Sequence, residues 1–277
     1  MRNELRMILG LLQRSLRETR GTTLAFATGL FLFELLLGII LPTFQKDFSD
    51  KLMQVEFLQK IIAALLGAEV GSFAPSTALA MLGWVHPFVL ALVWAYAIVI
   101  CTRFPSGALE AGTLDVWLSL PVTRAGIQCG ELFAFMLTGG VLVTAGLLGN
   151  QLGGWVVGST LNATAKTLLL VTFNLYALAL AVGGMATFFS CVCDRRGRAM
   201  GIAFAILLAS FFQSSMSSFN ETVKRCSVVS LLTYYRPYFV LQGTREPWGD
   251  VAILLGIGTL FWLAGLFVLS RRDLATA

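Results

Sequence analysis

Gly107–Arg124, GALEAGTLDVWLSLPVTR, is the one long polar stretch between two apolar runs that combines charge, helical periodicity and punctuation. Leu109, Thr113, Val116 and Leu120 recur at helical spacing with Leu114, Trp117 and Leu118 beside them, which predicts a short amphipathic helix. Pro105 and Gly107 open the segment, and Pro121 closes it. Glu110 near the start and Arg124 just past the end stand in the order a helix dipole favours. To the left lies the apolar run Met81–Cys101, and to the right one that settles in by Leu132 and lasts to Gly149. If both cross a bilayer, the stretch between them is a surface helix with an apolar face on the bundle and a polar face outward.

Composition puts the chain in the membrane class: 57% of its 277 residues are hydrophobic and only 13% are charged. The net charge of +5 comes from basic residues that flank apolar runs instead of covering one face, which argues against nucleic acid. Arg2, Arg6, Arg14, Arg17 and Arg20 are spread through residues 1–21, so this is no cleaved signal peptide. Leu5, Ile8, Leu9, Leu12 and Leu16 share a helical face there, which predicts an amphipathic helix on the membrane surface.

Apolar runs at 22–41, 81–101, 132–149, 168–191, 199–216 and 251–270 each approach the roughly 20 residues that cross a bilayer. The expected fold is therefore an all-α integral membrane protein, one domain over 1–277, with six transmembrane helices, an N-terminal amphipathic interfacial helix and a loop at 103–124 carrying its own helix. Gly139–Gly140 and Gly183–Gly184 predict close helix contacts. Arginines gather beside the N-terminus, in the 103–124 loop, in the basic turn 194–198 and in the tail, which predicts that both termini and the loop are cytoplasmic.

Glu34 is the one acid inside the first span, where a charge costs about 2.5–3.5 kcal/mol even on the mildest scale. It is either a pathway or proton-sensitive group, or a protonated acid hydrogen-bonded to a neighbouring helix. Asn174 in the fourth span has the same two readings, pathway or interhelical hydrogen bond. The interior polar set is sparse, which favours an amphipathic or lipid-like cargo. Residues 43–80 read as a surface helix and loop at the outer mouth. Tyr234, Tyr235, Tyr238 and Phe239 read as an interfacial anchor, with an aromatic gate as the alternative. His86 has no second ligand at helical spacing, and Cys191-x-Cys193 is too tight for structural zinc, so no metal site is expected. No phosphate-binding G-x-x-x-x-G-K-[ST] and no hydrolase motif occurs, so no catalysis by the chain itself is expected.

The residues Glu110, Gly112, Thr113, Leu114, Leu118, Ser119, Pro121, Val122, Thr123 and Arg124 resemble the E-x-G-T-L...L-S-x-P-V-[ST]-R signature of the permease subunits of type-2 ABC exporters, and Gly130 continues the match. FVLSRRDL, residues 267–274, is similar to the basic tail those permeases often carry. Where the family commonly has Lys after that glycine, this chain has Glu131. The resemblance implies a cytoplasmic loop that docks into a separate ATPase subunit, ATP and Mg bound by that partner and not by this chain, a second permease copy or related chain, and the cell inner membrane. It assigns coupling to Glu110, Gly112, Thr113, Pro121 and Arg124: polar contacts from the acid and the arginine, close approach at Gly112, a helix stop at Pro121. A second reading, also by resemblance, is a permease that transmits motion to an extracytoplasmic partner held by loops 43–80 and 217–250, as in metalloenzyme maturation.

Overall fold

A computed structural model describes residues 2–43, 81–158, 164–217, 230–243 and 246–272, with side chains from residue 9 onward in the first helix. Their order is α1 Arg2–Thr43, α2 Pro87–Cys101, a tight turn Arg103–Gly107, α3 Ala108–Glu110, α4 Leu114–Leu118, α5 Arg124–Val156, α6 Ala165–Val192 and α7 Arg196–Ser217. A 3₁₀ turn Leu231–Tyr234, α8 Pro237–Leu241 and α9 Trp248–Arg271 complete it. Six segments of these are long and apolar enough to cross a bilayer: Leu9–Thr43, Met81–Cys101, Arg124–Val156, Ala165–Val192, Arg196–Met216 and Trp248–Arg271. The all-α membrane fold is as the sequence predicts.

The expected division between a surface helix and a first span does not occur, because α1 is one continuous helix. A single buried stripe explains it: Leu11, Ser15, Thr19, Thr23, Ala27, Leu30 and Glu34 follow one another at steps of three or four, all nearly inaccessible. Three of these residues are hydroxylic, so apolar periodicity alone does not trace the stripe. The Thr19 hydroxyl satisfies itself on the Ser15 carbonyl at 2.8 Å. Gly21, the only glycine near the expected break, costs a helix about 1 kcal/mol, too little to interrupt it.

The helices are locked in pairs at glycines, though not all at the predicted ones. α1 and α5 share the most extensive contact of the bundle. A Cβ on Gly149 would lie 2.2 Å from the Phe31 carbonyl oxygen, and one on Gly153 would lie 2.4 Å from that of Leu35. Gly140 faces open space and Gly139 meets only side chains, so the close approach falls further along the helix than expected. Gly184 does behave as predicted, its absent Cβ leaving room for the backbone of Gly258 in α9.

Tyr235 and Tyr238 are buried in the main core, not anchored at an interface. The Tyr235 hydroxyl donates to the Trp84 carbonyl at 2.9 Å. Burial raises the Tyr235 phenol well above its ordinary pKa, so it stays a donor. His86 accepts from the Phe88 amide through Nδ1 and caps the start of α2. The expected outer helix and loop at 43–80 lies outside the described residues save for Thr43.

Candidate functional site at the loop end of the bundle

The predicted single helix over 107–124 is in fact two, α3 and α4, parted at Gly112. The reason is the backbone of Gly112 itself, whose φ of +64 breaks the helical run. Nothing within the chain lies within 4 Å of where its Cβ would be, so inside this chain the glycine serves conformation. The Thr113 hydroxyl turns back to the Ala108 carbonyl at 3.3 Å and closes this joint. Of the residues in and beside the helical repeat, Leu114 and Trp117 are buried and Leu109, Leu118 and Leu120 partly so, while Thr113 and Val116 are exposed. α4 ends at Leu118, three residues before Pro121, which stands exposed in the turn before α5. Thr123 then caps α5, its side chain accepting from the Gly126 amide at 3.1 Å.

A second hydrophobic cluster seats the loop. Phe104, Ala108, Leu114 and Trp117 pack with Leu11 of α1, Ile127 of α5, Cys191 of α6 and Leu269 of α9. The Arg14 guanidinium lies over the Trp117 ring at 4.3 Å, and Arg103 pairs with Glu18, so α1 touches the loop twice more. Ser106 is wholly buried, with its hydroxyl 2.8 Å from that of Ser190 on α6.

Polar bonds then tie the loop to the helix ends. Glu110, expected at the start of its own helix, is the last residue of α3 and accepts the backbone N–H of Arg196 at 2.7 Å. Its charge therefore sits at the N-terminus of α7, where a carboxylate is stabilised by the free amides and the dipole. Arg196 in turn donates to the Val99 carbonyl near the end of α2 at 2.7 Å. Arg124 is not a tail of the loop helix but the first residue of α5. It donates to the carbonyls of Leu269 at 3.1 Å and Arg272 at 2.8 Å, closing the C-terminus of α9. Arg272 donates to the Cys191 carbonyl at 2.7 Å and pairs with Asp194, closing the C-terminus of α6. The sequence marks Arg196 as flanking charge and Arg272 as part of a basic tail; their partners are far away in the chain and carry no local signal.

The family comparison now has a geometry to meet. A family model described as ABC-2 family transporter protein matches residues 91–274, which takes in the loop, every helix end it holds, and four of the six spans entire. The chain belongs to the ABC-2 transporter family. It is a permease component of an ABC transporter, a multi-pass membrane protein of a kind that pairs with an ABC ATPase subunit and is itself typically non-catalytic. No curated protein matches the chain. Outside this ABC-2 loop, the two intramembrane polar residues fall apart. Glu34 is buried and accepts from the Asn150 side chain at 2.9 Å, beside Gly83. Asn150, one residue past the third apolar run, lies in α5 and is Glu34's partner, which favours the interhelical hydrogen bond over a pathway role for the acid. Asn174 is fully buried and neither of its amide atoms has a hydrogen-bond partner among the described residues, so the interhelical bond expected there is not found. No group of residues among those described could hold a metal ion.

Proposed function

We propose that this chain is the transmembrane subunit of an ATP-driven exporter, moved by separate ATPase subunits that press on α3 and α4 from the cytoplasm. The observation that carries this is the loop's double character. One side is bonded through Glu110 to the start of α7 and through Ser106 to α6, and Arg196 and Arg124 carry the ties on to the ends of α2 and α9. The other side, with Asp115, Val116, Ser119 and Pro121, is exposed. An apolar residue such as Val116, 57% exposed at a polar surface, suits a partner's cleft. Closure of the ATPase pair on ATP would displace α4, and the bonded helix ends would convert that displacement into a change in how the spans open. ATP and Mg belong to the partner, and a second permease copy or related chain completes the path for an amphipathic cargo. The arginine distribution supports cytoplasmic termini and the cell inner membrane as the location.

The reading that motion passes instead to an extracytoplasmic protein rests on loops lying largely outside the described residues, and no geometry here favours it. The test is reconstitution with the ATPase encoded for this permease. Val116→Asp should leave the purified permease monodisperse and cut ATPase association and transport by tenfold or more. Unchanged association and transport would remove α4 as the docking element. Labelling of Ser119→Cys by an impermeant thiol reagent in intact cells would reverse the orientation. Ser106 is unsuited to that experiment because it is buried.

A further inference from the structure

Where the tight turn leaves α2, a small cavity lies between α2, α5, α6 and α9, lined among others by Cys101, Phe104, Gln128, Glu131, Thr187 and Trp262. It gives about 10 Å³ of room to the centre of a water-sized sphere, the space of one water on that measure. Two of its lining residues carry buried polar atoms with no partner: the amide oxygen of Gln128, a residue 2% exposed, and the indole Nε1 of Trp262. One is an acceptor and the other a donor. Leaving either unmade is costly, so two together beside one cavity call for an occupant.

The chemistry of the lining selects that occupant. Cys101 and Thr187 also line it, and Glu131 lies close enough to Arg103 to feel its charge. A metal cation would find the Gln128 and Glu131 oxygens but would be met by the Trp262 N–H, a donor with no lone pair to offer. An anion would be met by the Glu131 carboxyl. Water alone can donate to Gln128 and Glu131 while accepting from Trp262.

We propose that this cavity is a built site for a single water molecule, bridging Gln128 to Trp262 beside Glu131, at the joint between the loop and the spans. Phe104 is both a wall of the cavity and the ring that packs on Trp117 of α4, with centroids 5.5 Å apart. A shift of α4 therefore moves one wall, and an exchangeable water lets the joint repack without exposing an unpaired amide. The site stands whether or not α4 docks an ATPase.

The experiment is X-ray radiolytic labelling of the full chain in lipid nanodiscs, read by mass spectrometry. A bound water generates hydroxyl radical beside its neighbours, so Trp262 and Cys101 should be modified several-fold faster than Met185, corrected for intrinsic reactivity. Met185 is 1% exposed and does not line the cavity. Gln128→Met, nearly isosteric but without the acceptor, should bring Cys101 and Trp262 down to the Met185 rate. Trp262→Phe should do the same at Cys101. Wild-type rates at Trp262 and Cys101 no faster than at Met185 would overturn the proposal without recourse to any variant. So would rates that Gln128→Met leaves unchanged.

Discussion

Arg272 spends its guanidinium on carbonyls that α6 leaves unsatisfied, with hydrogen bonds to Cys191 and Cys193 and an ion pair to Asp194. A charged donor on a helix-end carbonyl contributes about 1.5–3 kcal/mol when sheltered. Its neighbour Arg271 is exposed and, among the described residues, overlies the Phe267 ring. Arg272→Ala is therefore expected to destabilise the purified protein by about 1–3 kcal/mol, and Arg271→Ala by less than about 1, in thermal unfolding in detergent. Asp194→Asn should have little effect, because the Asp194 side chain is 68% exposed and its ion pair is solvent-screened. Equal losses from the two arginines would refute the assignment. The signature residues were legible as a set, because the loop's punctuation and charges are local. Their partners were not. Glu110 meets an amide 86 positions away and Arg124 a carbonyl 148 away, and neither distance leaves a trace in spacing. Asn150, just outside the third apolar run, shows the same blindness for Glu34.

The helices themselves were readable where apolar length decides them, and misread where polar residues carry the packing. α1 continues through the expected break because Ser15, Thr19 and Thr23 hold its buried face, and hydroxyls count as polar in any apolar periodicity. Loop residues 107–124 were misread for a related reason: Val116 has the right hydropathy for the core, but the φ of Gly112 resets the helical phase. Glycine positions separate in the same way into those that pack and those that do not. Gly149→Val would drive its side chain into the Phe31 carbonyl and push α1 off α5, for an expected loss of about 3 kcal/mol or more. Gly140→Ala meets nothing and should be neutral or stabilising by about 0.5–1 kcal/mol, since alanine favours the helix. Unfolding of the two variants side by side checks both. A tolerated Gly149→Val would show that the α1–α5 contact is looser than its geometry.

At the scale of the molecule, α1 with α5 and α6 with α9 form two glycine-locked pairs, and the loop end is where they are joined. Arg124 starts α5 yet bonds the end of α9, so it crosses from one pair to the other. Arg272 works within the second pair, but one of the two carbonyls that Arg124 uses is Arg272's own. Glu110 is a separate tie, from α3 to α7. Residues sharing one network are non-additive, whereas independent ties add in free energy. In ATP hydrolysis by the reconstituted complex, Arg124→Ala with Arg272→Ala should therefore be about as impaired as the worse single variant. Arg124→Ala with Glu110→Ala should show the product of the two single losses. If the first pair multiplied as the second does, Arg272 would not be setting the carbonyl that Arg124 holds, and the two arginines would be independent ties at the end of α9.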